Sequence, residues 1–310
     1  MPEFYLVPKK LARKAPRLIK LVHRLEAGIF RSLFWLIRRL SLESALKLAG
    51  AAFVLAGRTS NKADKARENL AIAFPDKPPE WRENTTREIF RSLGHSAVEL
   101  IKLEQIHAER EQRVEYVLSP EARKHLESHA PTIFVTAHVG PWQVAPLITR
   151  DFGVTTSAIY APESNPVMND LMREMRGAFG EKLISSEEGP RPILKELKAG
   201  NSIILALDTR PDTGKLIPFF GRDALSNTSA VGLALRANAA LVLGRAERLP
   251  GARYRVTVFA PIQSPIPDAD VKEQAAALTR IIHEHFEQWI RETPEQWICL
   301  KRRWPKANKL

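Results

Sequence analysis

Residues 136–143 read TAHVGPWQ. His138 closes a continuously apolar run, a Gly-Pro pair turns the chain after it, and Gln143 stands five positions further on. Histidine ordinarily titrates close to neutrality, so at a strand end it can draw a proton from a hydroxyl and turn it into a nucleophile. A base of this kind works best beside a carboxylate that fixes the imidazole tautomer and stabilises the imidazolium. At the spacing expected for that acid this chain has an amide. The Gln143 carbonyl can accept a hydrogen bond from the ring, but it brings no charge, and a flipped amide would present a donor instead. Replacing a triad carboxylate by an amide can cost several powers of ten in rate. Three accounts of Gln143 stay open: a replacement introduced to trap an inactive protein; a natural site with reduced or relocated catalysis, Glu163 or Asp208 swinging in; or loss of the activity. A glutamate at 143 is expected to raise turnover strongly.

The other seven histidines are weaker candidates. His283 and His285 lie two apart on an expected helix and point to different faces, a poor metal pair. His125 and His129 are one turn apart, but no carboxylate pattern completes a site. His23, His95 and His107 read as surface or satisfied helix positions.

The elements that must position His138 follow from apolar periodicity. TIFVTA (132–137) is short, apolar throughout and β-rich, the pattern of a buried central strand. Further strands are expected at 155–161, 182–186, 202–208, 240–249 and 253–262, with helices at 142–152, 169–179, 190–200, 229–239 and 271–292. Upstream, 82–106 has the 3.6-residue spacing of a long helix, and 59–75 holds a shorter one stopped by Pro75. Alternating strands and helices argue for an α/β fold, a mixed central sheet flanked by helices. In such sheets chemistry sits at the carboxyl ends of the strands, where His138 and Asp208 both fall.

At 310 residues with 44% apolar and 26% charged side chains, the chain can bury a substantial core. One cysteine, Cys299, excludes an internal disulfide and a Cys-based zinc cluster. The net charge of +12 belongs to the two ends: residues 1–40 carry ten Lys/Arg against Glu3 and Glu26, and residues 301–310 carry five against none, which leaves the body nearly neutral. Clustered bases suit nucleic acid or an anionic membrane. Residues 18–40, LIKLVHRLEAGIFRSLFWLIRRL, alternate apolar clusters with Arg and Lys at helical intervals, which favours an amphipathic helix in a bilayer interface over nucleic acid. A basic helix packed on its own domain is the competing reading. The apolar stretch 48–57 is about half the roughly 20 residues needed to span, and charges interrupt every candidate signal-peptide core. The expected organisation is a basic amphipathic helical region at 1–58 and a catalytic domain at 59–310, attached to a membrane without spanning it.

Several blocks in order resemble the lipid A biosynthesis acyltransferases of the lysophospholipid acyltransferase superfamily. The His-x-x-x-x-Asp/Glu motif of that family matches His138 through Gln143. Its R-x-N-L…FP block matches Arg67, Asn69, Leu70, Phe74 and Pro75, and its Y-x-P…NP segment matches Tyr160, Pro162, Asn165 and Pro166. Its acidic strand end and PFFG turn match Asp208 with Pro218, Phe219, Phe220 and Gly221. The closing PEQ(W/Y) signature matches Pro294 through Trp297 and runs on to Arg302, Arg303 and Trp304. The resemblance implies a glycerolphosphate-acyltransferase-like core on the cytoplasmic face of the inner membrane. It implies an enzyme that moves a fatty acyl chain from acyl carrier protein to a hydroxyl of a lipid A precursor or related glycolipid, without metal or other cofactor. His138 would be the base and Gln143 would stand at the acid's position. Trp142, Tyr160, Arg173, Asp208, Arg210 and Phe220 would line the substrate. Arg210 could clamp a phosphate or polarise the thioester carbonyl, or only pair with Asp208 or Asp212, and Trp142 could simply seat the motif. Arg176 is an alternative to Arg173. Glu99 lies where relatives also tend to carry an acid, and a surface ion pair explains it equally well. Ala161 replaces an arginine that relatives often have. The implied partners are acyl carrier protein, a glycolipid acceptor and an anionic membrane surface, and no nucleic acid. Another acceptor, such as an amino-acid lipid or a polyene glycolipid, and a non-catalytic lipid-binding relative are the rival readings.

Overall fold

The computed structural model describes residues 16–58, 60–163, 165–177 and 182–305. Residues 1–15 and 306–310 of the basic ends lie outside the described residues, as do the side chains of Arg176 and of residues 16–18. Four helices open the described chain: α1 (Pro16–Arg39), α2 (Leu42–Gly57), α3 (Asn61–Ala73) and α4 (Pro79–Ile101). Ser41 and Ser60 cap α2 and α3 by accepting from Ser44 and Lys62 amides, and Pro79 starts α4 at a position where no N–H is needed. The long helix expected over 82–106 breaks at Lys102 into α4 and a short α5 (Leu103–Ala108), followed by α6 (Arg110–Arg113).

α1 has three faces. Glu26, Ala27 and Ile37 are buried against the protein; Lys20, Arg24, Arg31 and Arg38 form an exposed basic stripe; Leu21, Leu25, Ile29, Phe30, Leu33, Trp35 and Leu36 are exposed apolar side chains. Leu48 and Leu55 of α2 are exposed as well. α2 packs closely on α4: a Cβ at Gly94 would stand 2.6 Å from the Ala49 carbonyl oxygen. No described helix is long and apolar enough to cross a membrane.

The α/β half alternates β1 (Val114–Leu118), α7 (Pro120–Glu127), β2 (Thr132–Thr136), α8 (Leu147–Asp151), β3 (Thr156–Tyr160), α9 (Pro166–Gly177), β4 (Lys182–Ser185), α10 (Pro190–Lys198) and β5 (Ser202–Ala206). Then come β6 (Lys215–Phe219), β7 (Arg222–Ser226), α11 (Ser229–Ala237), β8 (Ala240–Leu249), β9 (Arg253–Val258) and α12 (Val271–Glu292). Seven strands form one mixed sheet in the order β1-β9-β8-β2-β5-β3-β4. All neighbours are parallel except the β8–β9 pair. β2 and β5 lie near its centre, and every β2 residue is buried.

Three local readings differ from the expectation. Residues 142–152 form turns before the short α8, because Pro141 and Pro146 lack the N–H a helix needs and restrict the residue before them. β1 is an added strand, parallel to β9, with the half-buried alternation of a sheet edge. The PFFG segment is a hairpin: Phe219 pairs with Arg222, and Phe220 and Gly221 between them both have positive φ (52° and 68°), as a two-residue hairpin turn requires.

Candidate active site

The strand register brings the site together. Thr136 of β2 pairs with Ala206 of β5, so continuing two places along both strands sets His138 opposite Asp208. Nδ1 of His138 donates to Oδ1 of Asp208 at 2.7 Å, and the His138 backbone N–H reaches the same oxygen at 3.1 Å. The other oxygen, Oδ2, accepts from Nε1 of Trp297 at 3.2 Å. Asp208 is almost fully buried while the His138 side chain is 31% exposed, an asymmetry suited to a fixed acid and a base open to substrate. Burial by itself would raise the Asp208 carboxyl. The charge of His138, its two hydrogen bonds and the Trp297 indole outweigh that and hold it below the ordinary carboxylate range. With Nδ1 committed to Asp208, Nε2 is the nitrogen that can take a proton.

The turn after His138 is held on its backbone. Val139 and Trp297 form an antiparallel bridge, Ile298 N–H donates to the His138 carbonyl at 2.8 Å, and Gly140 N–H donates to the Gln296 carbonyl at 3.2 Å. Gly140 has φ +65°, and a Cβ there would lie 2.4 Å from the Ala246 carbonyl oxygen, so both the conformation and the space call for glycine. The closing block therefore braces the turn that carries His138. Behind it, Phe219, Phe220, Trp297 and Trp304 pack ring on ring. Arg303, buried and pushed down to about 10 by that burial, lies 4.9 Å over the Phe219 ring and donates to the Leu225 carbonyl and to Ser226 Oγ.

The remaining predicted residues separate into those near the pair and those apart from it. Trp142 meets the imidazole edge-on, ring centroids 5.2 Å apart, and lines a small apolar cavity of about 30 Å³ with Phe134, Ile204 and Gly244. Gln143 does not take up the ring proton: its Oε1 is buried without a hydrogen-bond partner. Tyr160 ends β3, next to β5, with its carbonyl bonded to the Ser186 amide. Phe220 packs in the aromatic layer beneath the Arg291 guanidinium, 4.4 Å away, and its N–H donates to Glu287; it reaches the site through Trp297, on which it stacks. Arg173 and Arg210 are exposed, and among the described residues no hydrogen bond or ion pair joins either to Asp208 or His138. Glu163 supplies no carboxylate to the ring; its N–H bonds Asn169. Glu99 is not a surface residue: it is fully buried and paired with Arg248 at 2.7 and 2.8 Å. Arg248 was not singled out by sequence reasoning, and Arg303 entered it only as part of a signature, with no role. For Arg303 the available signal was its place in the closing signature; for Arg248 there was none.

The profile described as bacterial lipid A biosynthesis acyltransferase matches residues 18–306 of this chain. The lipid A biosynthesis myristoyltransferase of Escherichia coli (strain K12) is 22% identical over 256 residues, covering 80% of this chain and 77% of that one. The lipid A biosynthesis acyltransferase 2 of Shigella flexneri is 22% identical over 263 residues, 82% of each chain. A crystal structure of the 1-acyl-sn-glycerophosphate acyltransferase of Thermotoga maritima covers 84% of this chain and all of that one at 14% identity and a TM-score of 0.38.

Proposed function

This chain belongs to the bacterial lipid A biosynthesis acyltransferase family, and from that premise we propose that it transfers a fatty acyl group from acyl carrier protein to a hydroxyl of a lipid A precursor or related glycolipid, using His138 and Asp208 as its catalytic pair. The observation that carries this reading is the 2.7 Å bond between His138 Nδ1 and Asp208 Oδ1 at the carboxyl edge of the sheet.

Nε2 of His138 takes the acceptor's hydroxyl proton as that oxygen attacks the thioester carbonyl carbon. Asp208 holds the reactive tautomer and stabilises the imidazolium. The tetrahedral intermediate then expels the thiolate as the C–S bond breaks, and the imidazolium returns its proton to sulfur. Glu and Asp of the family motif are replaced at 143 by an amide, and in this reading Asp208 does their work from the neighbouring strand. A small apolar cavity shares Trp142 with the ring.

The protein works at a membrane surface in this reading. Seven exposed apolar side chains on α1 and a flanking basic stripe suit insertion into an anionic interface, in line with attachment to the cytoplasmic face of the inner membrane. The test is single-turnover transfer from acyl carrier protein thioesters to a lipid A precursor in mixed micelles, with His138→Ala as the control. Product that depends on His138 supports the assignment. Equal product from wild type and His138→Ala, or no transfer to any glycolipid or lysolipid, sinks it.

A further inference from the structure

We propose that Arg248 is a positioning residue for His138, holding the catalytic turn from a buried ion pair that no part of the motif contains. Arg248 sits near the end of β8, with its side chain 14% exposed. One guanidinium gathers acceptors from three separate segments. On α4, Nε and Nη2 donate to the two oxygens of Glu99 at 2.7 and 2.8 Å, Nη1 to Ser92 Oγ at 2.7 Å and Nη2 to Ser96 Oγ at 2.8 Å. In the closing block, Nη1 reaches Gln296 Oε1 at 3.4 Å. In the catalytic turn, Nη2 donates to the Gly140 carbonyl at 3.2 Å.

The last contact gives the network its function. Gly140 follows His138 by two residues, and its N–H is already held by the Gln296 carbonyl. With Arg248 on its C=O, both polar groups of Gly140 are fixed, in a left-handed conformation pressed against β8. His138 is thus tied on one side through Asp208 and on the other through Gly140. A planar fork with five donors can serve Glu99 and the turn together, which a lysine ammonium cannot do from one point. Glu99 anchors the fork: it is fully buried, so its charge is compensated only while Arg248 stays in place. The device therefore ties the base to α4, the helix on which α2 packs, and keeps the ring at the distance from Asp208 that proton transfer needs.

This inference rests on the acyl-transfer reading for what His138 does, but its test carries a readout that needs no substrate. Two variants are used: Arg248→Lys, and the neutral pair Glu99→Gln with Arg248→Gln, which avoids a lone buried charge should the single variant fail to fold. In the folded wild type, the Nδ1 proton shared with Asp208 should give a proton resonance well downfield of the amides, absent from His138→Ala. In the variants that resonance should broaden or vanish, and kcat should drop about tenfold or more with KM for both substrates within about twofold. A purely structural role would lower the melting temperature and leave the resonance and kcat of the folded fraction alone; that result overturns the proposal. If wild type transfers no acyl group, the functional reading fails by itself, and the resonance still decides whether Arg248 positions the ring.

Discussion

The indole N–H of Trp297 donates to Oδ2 of Asp208 at 3.2 Å, while Oδ1 of the same carboxylate takes both the backbone and the ring N–H of His138. A buried carboxylate bound by three donors is fixed in place and held ionised. It has no need to swing toward the histidine, because the β2–β5 register already sets the two side by side. In the proposed site the acid thus comes from the strand next to the base, and the position five residues after the histidine is free to be an amide.

Asp208→Asn should therefore lower kcat by about 10³–10⁴-fold, the scale seen when a triad carboxylate becomes an amide. Gln143→Leu should cost less than about tenfold, since Gln143 Oε1 makes no hydrogen bond to lose. Gln143→Glu should give no gain, against the expectation from motif spacing alone. A carboxylate there would be buried without a donor, and would be protonated or would destabilise the turn. Single-turnover rates and melting temperatures of the three variants decide the point. A large gain from Gln143→Glu would show that position 143 carries the acid.

Trp297→Phe keeps a large ring in a fully buried place and removes only the N–H to Asp208. A hydrogen bond to a charged group is worth about 1.5–3 kcal/mol. If most of that bond is lost where the imidazolium forms, kcat should fall about 10- to 100-fold. KM should change little, because Trp297 faces the carboxylate and the aromatic layer. Steady-state kinetics on a variant with a normal circular dichroism spectrum would check this.

The sheet was legible where the chain was plainest. β2 and β5 are short, apolar and central, and their periodicity needs no tertiary information. β1 and the β6–β7 hairpin were missed because edge strands and a hairpin outside the main sheet show mixed polarity. His138 stood out from its place after β2, and Asp208 was named as an alternative acid. Choosing Asp208 over Glu163 required the pairing of β2 with β5, which links positions 70 apart. The Arg248–Glu99 pair joins residues 149 apart; Glu99 drew notice only through the family resemblance, read equally well as a surface acid, and no local pattern marks Arg248 as its partner.

His283 gives the stability a pH dependence with a definite sign. Burial first, and then the charge of Arg303, depress its imidazole to about 4 from 6.5, although its bond to the Pro218 carbonyl works the other way. Between those values an unfolded chain binds a proton that the folded protein refuses. Stability from this source is whole above pH 6.5 and falls as the pH drops toward 4, by a few kcal/mol at most. His95, also depressed to about 4 by burial, acts in the same window. Urea midpoints measured from pH 7 to 4.5 should decline, and His283→Gln should flatten part of that decline. A profile unchanged by the substitution would rule out His283 as a source.

The apolar face of α1 leads to a prediction about the surface on which this chemistry takes place. Leu25, Ile29 and Leu33 recur every fourth residue and are 56%, 64% and 43% exposed, so each has roughly half its side chain still to bury. At about 25 cal/mol per Å² that is on the order of 1 kcal/mol apiece on entering an interface, and the triple change to serine should weaken vesicle binding about 100-fold. The exposed basic stripe of Lys20, Arg24, Arg31 and Arg38 acts differently: each well-placed charge adds about 1 kcal/mol on anionic lipid only, and salt screens it. Flotation with neutral and anionic vesicles separates the two contributions. The triple serine variant should lose binding to both kinds, whereas glutamine at the four basic positions should remove only the preference for anionic lipid and its sensitivity to salt. Neither set contacts His138 or Asp208, so turnover on a detergent-dispersed acceptor should stay near wild type while turnover on vesicles falls with binding. Equal vesicle binding by wild type and the triple variant would mean that this face does not meet the bilayer.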